Sequence, residues 1–200
     1  MKFDQVSIPQ PSEEQVNLYL SLWNSMENYT LQERALDKLF TKLCPQNNNI
    51  DDILLKVSTL NDFYSTNIFS AFSVAKHILE LKIDARLKNK DASLVSDIQK
   101  VTISGKIKNF YSFATKYCSH HEPLYFPIYD SYVDCILRYF KRKDKFCNFR
   151  NDDLKDYHKF KNILLSFQSF YNLNNFNLKQ IDQYLWQLGK EYFPKKYNKR

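Results

Sequence analysis

Apolar residues recur at three- and four-residue spacing along most of this chain, the period of an amphipathic helix and not of a strand. Ser12 can cap a first helix running to about Asn28, with Val16, Leu18, Leu20 and Trp23 along it. Thr30-Leu31-Gln32-Glu33 has the form of a capping box and predicts a second helix to about Leu43. Asp51 and Asp52 suit the N-terminus of a third, where negative charge meets the helix dipole. Residues 61–67 are polar with two aromatics, and a long helix through Ile68, Phe72, Val74, Ala75, Ile78 and Leu79 follows. A short helix is expected from Asp91, then a turn at Ile103-Ser104-Gly105-Lys106, then a helix to about His120.

Two prolines between Glu122 and Pro127 require an extended segment. Asp130 or Ser131 then caps a helix carrying Val133, Ile136, Leu137 and Phe140. Asn151, Asp152 or Asp153 opens another, with Phe160, Ile163, Leu164, Phe167 and Phe170 on one face. Asn177 caps the last, and the tail Lys195-Lys196-Tyr197-Asn198-Lys199-Arg200 is expected to fray. No repeat, low-complexity linker or alternating strand pattern appears. The reading is all-α: one domain over residues 1–200, a compact multi-helix globule of two intimate lobes. One lobe covers about 30–130; the N-terminal helix and 131–200 form the other.

Composition narrows the classes. The 200 residues are 44% hydrophobic, with 16 Phe and 14 Tyr, enough for a sizeable core. Only 2 Gly are present, and no Gly-rich phosphate loop. A net charge of +7 favours phosphate backbones or acidic membranes as partners. No long apolar run supports a membrane span, and Met1-Lys2-Phe3-Asp4 does not begin a signal peptide, so a cytoplasmic location and no membrane partner are expected. Cys44, Cys118, Cys135 and Cys147 lack metal or disulfide spacing and read as free thiols. Nothing suggests a coiled coil, and a monomer is expected.

The most informative stretch is Gly105–Val133, GKIKNFYSFATKYCSHHEPLYFPIYDSYV: turn, helix, proline-bounded extended segment, then Asp at a helix start. With Pro127-Ile128-Tyr129-Asp130 and the earlier Leu60-Asn61-Asp62-Phe63-Tyr64-Ser65-Thr66-Asn67, this order resembles the helix-hairpin-helix DNA glycosylase superfamily. The resemblance covers about a third of the chain. Its hairpin, Val101-Thr102-Ile103-Ser104-Gly105, has one Gly where the family's Leu-Pro-Gly-x-Gly has two, and its Asp signature has one extra residue between Pro and Asp.

The resemblance implies a cleft between the lobes, double-stranded DNA as partner and no cofactor or metal. It implies a glycosylase that flips a damaged or modified base and hydrolyses its N-glycosidic bond, in repair or in defence against modified foreign DNA. Asp130 would be the catalytic carboxylate, facing an oxocarbenium-like sugar; an ordinary N-cap uses Asp for the same electrostatic reason. Lys106, Lys108 and Lys116 are candidates for a lyase amine or for phosphate contact, although solvated lysines are the default and a water-using, monofunctional enzyme is expected. Asn61, Tyr64, Thr66 and Asn67 could form the base pocket, or simply a helix start with Tyr64 in the core. Ser104, Gly105, His120, His121, Lys141 and Arg142 are candidates for the DNA backbone. Cys118-Ser119-His120-His121 crowds three potential metal ligands, but adjacent histidines diverge on a helix and no metal is expected. The competing readings are an inactive nucleic-acid-binding module of the same fold and a helical adaptor for proteins.

Overall fold

The computed structural model describes residues 6–194. Among them are ten α-helices: α1 (Glu13–Ser25), α2 (Glu27–Lys38), α3 (Ile50–Tyr64), α4 (Ala71–Leu81), α5 (Asp84–Lys88), α6 (Leu94–Ile98), α7 (Tyr111–His121), α8 (Ser131–Asp144), α9 (Tyr157–Phe170) and α10 (Leu178–Tyr192). Strands β1 (Lys100–Ile103) and β2 (Lys106–Asn109) pair between α6 and α7. The protein is all-α apart from that hairpin. No helix among the described residues is long and apolar enough to cross a membrane. The readings of Met1–Asp4 and of the basic tail lie outside the described residues.

Side-chain caps begin several helices, because each start leaves backbone N–H groups without helical partners. Ser12 accepts from the Gln15 N–H, Asn49 from Asp51 and Asp130 from Tyr132. Asn177 and Gln180 exchange bonds in a capping box. The box expected at Thr30 does not form. α2 starts at Glu27, and the Thr30 hydroxyl bonds back to the Met26 and Glu27 carbonyls. α3 also runs on through Asn61–Tyr64, so these residues end a helix where the sequence reads as a polar stretch or a helix start. Before α9, residues Asn151–Lys155 form a 3₁₀ turn, and Asp156 makes the cap.

The hairpin is the main departure from the expected helix over 105–120. Ser104 and Gly105 have φ of 50° and 74°, as the two central residues of a type I′ turn require. Phe110 N–H closes the ladder on the Gln99 carbonyl at 2.8 Å. The strands escape sequence detection because only Val101 is buried, while all of β2 is exposed. Alternation that short carries no period. Where the resemblance implied a helical hairpin, the chain forms a β-hairpin.

One continuous core joins the helices. α10 packs on α1 and α8, while α3 packs on α4 and α7. The α8–α10 approach is close because position 189 has no side chain. A Cβ on Gly189 would lie 2.6 Å from Tyr132 Cβ and 2.7 Å from the Tyr132 carbonyl oxygen.

A second tie is polar. The Lys56 ammonium, fully buried, donates to the Cys44 and Gln46 carbonyls and to Asn47 Oδ1 at 3.0, 2.8 and 2.7 Å. Asn47 also accepts from the Tyr117 hydroxyl at 2.6 Å, donates to Asp84 at 2.6 Å and meets His121 Nε2 at 3.2 Å. Burial pushes the Lys56 pKa down to about 8, against the nearby Asp84 charge. His121 therefore belongs to an internal network. His120 shares a hydrogen bond with the Tyr64 hydroxyl at 3.1 Å. Burial pulls both histidines down to about 3, so both are neutral near pH 7. As candidates for the DNA backbone they would act without a positive charge, and His120 lines an open trough on the surface.

Two outcomes follow. Gly189→Ala should destabilise the fold by about 1–3 kcal/mol in urea unfolding, since backbone must move to admit the methyl group. For the histidines, folded pKa values below the unfolded value of about 6.5 give stability that is present above that pH and lost as pH falls toward 3. The stability gap between wild type and His121→Gln should therefore narrow from about pH 7 to about pH 4.5. A gap unchanged by pH would contradict a buried neutral His121.

Candidate active site

The site begins with one face of α7. Ser112, Thr115 and Lys116 stand at i, i+3 and i+4, so their side chains share that face. They meet the extended chain after Pro127, whose backbone has no helical or sheet partners. Thr115 Oγ1 accepts from the Tyr129 N–H at 3.1 Å, and the Ser112 hydroxyl donates to the Tyr129 carbonyl at 3.1 Å. The Tyr129 hydroxyl donates to Asp134 Oδ2 at 2.9 Å, and Arg138 holds the other Asp134 oxygen. The Tyr157 hydroxyl binds the Pro127 carbonyl at 3.1 Å.

Held this way, Asp130 enters α8 as its N-cap. Its Oδ1 accepts the Tyr132 N–H at 2.8 Å, while Oδ2 lies 3.6 Å from Lys116 Nζ. Lys116 also donates to Ser112 Oγ at 2.6 Å. The lysine side chain is 3% exposed and the aspartate side chain 21%, so the carboxylate is the more open half of the pair. Lys116 is thus a buried site residue, not the solvated or phosphate-contacting cation expected of it.

The pair lines a pocket of about 280 Å³, near the lower limit of roughly 300 Å³ for ligand sites. Trp23, Tyr29 and Trp186 pack edge-on or tilted against one another at 5.1–5.9 Å and form an aromatic wall. Phe63 and Tyr64 line it from the C-terminal turn of α3. Burial pushes the Tyr64 pKa up to about 12, and the Lys116 ammonium sits 5.1 Å from its ring centre. α10 contributes Lys179, Asp182, Gln183 and Trp186. Glu33 accepts from Trp23 Nε1 at 3.0 Å and from Gln183 at 3.2 Å, and pairs with Lys179 at 2.8 Å. Burial opposes the Lys179 charge, yet Tyr64, Glu33 and Asp182 together hold its pKa above the usual value. Asp182 is pushed up to about 7, by burial first, against the charges of Lys179 and Lys116. An open trough of about 630 Å³ adjoins the pocket and shares Trp23, Glu33, Lys179 and Gln183 with it.

Of the residues expected in the site, Asp130, Lys116 and Tyr64 come together. Asn61, Thr66 and Asn67 do not line the pocket. Asn61 accepts from the Thr66 hydroxyl and the Ile68 N–H and donates to the Ile68 carbonyl, so it ties the α3–α4 loop. Ser104, Gly105, Lys106 and Lys108 are exposed on the β-hairpin, outside the lining. Lys141 and Arg142 sit at the far end of α8 from Asp130, roughly 17 Å along the helix. The Lys141 ammonium binds the Phe149 carbonyl. Among the described residues no three His, Cys, Asp or Glu side chains gather to hold a metal. Cys118 is buried, and burial pushes its thiol well up.

Sequence reasoning missed Lys179, Asp182, Glu33 and the ring cluster. The two tryptophans were a usable signal, being the only two in the chain. Their meeting was not readable, because it depends on α10 returning to α1. Chemically, the site offers a carboxylate beside an ammonium, a wall suited to a planar ring, and a polar inner face.

Residues 15–125 match the family model HI_0787_N, described as an N-terminal domain. The matched stretch holds Trp23, Glu33, Tyr64 and Lys116, while Asp130 and α10 follow it. Over 150 residues the chain is 55% identical to an uncharacterized protein of Haemophilus influenzae strain Rd, covering 74% of this chain and 72% of that protein. No solved structure matches the chain. By the extent of both matches, the chain belongs to the HI_0787_N family.

Proposed function

We propose that this protein is a DNA glycosylase that draws one nucleotide into the pocket and breaks its N-glycosidic bond. The observation that carries the reading is the buried Lys116 amine beside the Asp130 carboxylate on the wall of a small, ring-lined pocket. A flipped base needs stacking surface and edge partners, and the sugar needs negative charge where positive charge develops. The net charge of +7 suits a phosphate-bearing partner, and such binding falls steeply with salt.

The position of Lys116 favours an amine mechanism over the water mechanism expected from the sequence. Lys116 passes a proton to Asp130, and its freed lone pair forms the bond to C1′. The N-glycosidic bond breaks with its electron pair on the base, and Asp130 returns the proton to that base. The C1′–O4′ bond then opens, a proton moves from nitrogen to O4′, and a protonated imine joins Lys116 to the sugar. Once the base holds the proton, Asp130 is a carboxylate again and faces C1′ while the protonated imine forms. Amines act as nucleophiles only when deprotonated, so a neighbouring carboxylate that accepts the proton serves the step.

Borohydride reduction during reaction with a panel of damaged and modified duplexes tests this. Wild type should release a base and be trapped covalently on DNA. Lys116→Gln should abolish trapping. Asp130→Asn keeps a good N-cap and should lower base release by about 100-fold or more. Base release without trapping, unchanged in Lys116→Gln, would replace the amine by water. No release from any duplex would remove the enzyme reading and leave DNA binding alone to be measured.

A further inference from the structure

The pocket is also lined by a carboxylate, Asp182, that takes no part in the Lys116–Asp130 pair. Asp182 is 8% exposed; the Lys179 and Lys116 charges act on its carboxylate, but among the described residues no hydrogen bond is made to it. Glu33, the other acid of this wall, is fully engaged with Trp23, Gln183 and Lys179. A buried carboxylate whose oxygens accept no hydrogen bond is costly even beside cations, and a ligand that supplies donors in the pocket offsets that cost.

Ligand chemistry follows from this. An ionised carboxylate only accepts, through two oxygens side by side. Among the nucleobases, guanine alone presents two adjacent donors on its Watson–Crick edge, N1–H and the exocyclic amino group. Adenine and cytosine place an acceptor next to their donor, which a carboxylate repels. Thymine has one donor between two acceptors. A cationic ligand is opposed by Lys116 and Lys179, which already face the same space. The rings of Trp23, Tyr29 and Trp186 line the same pocket and offer apolar contact to a base.

We infer that Asp182 is the specificity-determining residue of the pocket and selects a guanine-type base, one that keeps the N1–H and amino donor pair, by bidentate acceptance at its carboxylate. This rests on the reading of the pocket as a base site, and it goes further by naming the base class. The groups facing Asp182 are Lys179 on its own helix, Lys116 on α7, Asp130 at the start of α8, Glu33 on α2, Tyr64 on α3 and Tyr157 on α9. Its pKa of about 7 makes the device sensitive to pH. Donors from the base favour the ionised form, so affinity should fall as pH drops from about 8 to about 6 and the carboxyl takes up its proton.

The test needs no cleavage. Trp23 and Trp186 are the only tryptophans of the chain and both line the pocket, so intrinsic fluorescence of the full chain reports its occupancy. Deoxyguanosine should quench with about tenfold or greater preference over deoxyadenosine and deoxycytidine, the discrimination of a good bidentate pair. Asp182→Asn offers one acceptor and one donor and should shift preference to deoxyxanthosine, a gain that a misfolded variant cannot give. Equal quenching by all nucleosides, or a preference unchanged in Asp182→Asn, would overturn the assignment. Base release limited to adenine- or pyrimidine-derived substrates would also overturn it while leaving the glycosylase reading intact. Deoxyguanosine selectivity with no base release from any duplex would leave this assignment standing and remove the cleavage reading.

Discussion

The site depends on how α7 holds the backbone of Tyr129. The segment before it contains Pro123 and Pro127; Tyr125 and Phe126 N–H close a turn on the Glu122 carbonyl, and from Pro127 the extended chain has no helical partners. Side chains take their place: Thr115 takes the Tyr129 N–H and Ser112 takes its carbonyl. Because Asp130 is the next residue, the same two bonds fix where α8 starts and where its capping carboxylate points. Lys116, one residue beyond Thr115 and one turn from Ser112, arrives beside that carboxylate without any further device. A cap, a clamp and an ion pair are therefore one construction.

The rest of the pocket comes from the opposite end of the chain. α10 reaches the start of α8 because Gly189 lets it lie against Tyr132. That approach brings Trp186 to Trp23 and Tyr29 and sets Lys179 against Glu33. It also places Asp182 in the same small volume as Asp130 and the two lysines. The charges are arranged unequally. Glu33 is satisfied within the protein, Asp130 spends one oxygen on its helix and faces Lys116 with the other, and Asp182 stands in the field of Lys179 and Lys116 without a hydrogen bond among the described residues.

Local chemistry was the legible part of the sequence. Ser12, Asp130 and Asn177 were readable as caps because capping needs only the next three residues. Asp130 was a candidate carboxylate only through the resemblance of Pro127-Ile128-Tyr129-Asp130, since its spacing alone fits an ordinary cap. The β-hairpin was not, because a four-residue strand with one buried position has no detectable period. Lys116 was misjudged because a lysine on a helix is usually solvated, and only the long-range return of Tyr129 over α7 buries it. Asn61, Thr66 and Asn67 were pocket candidates through the resemblance, but Asn61 and Thr66 bond to each other and Asn61 ties the α3–α4 loop at Ile68. Asp182 looked like any polar position of an amphipathic helix, and its surroundings arise from α2, α3, α7 and α8 together.

A co-crystal structure of the Lys116→Gln variant with a duplex carrying a guanine-derived lesion tests the central claim, that this pocket receives a nucleotide for attack at C1′. The account predicts one nucleotide turned out of the helix, its base against the Trp23, Tyr29 and Trp186 wall and its C1′ facing Asp130 and position 116. DNA bound on another face, with the pocket empty, would contradict it.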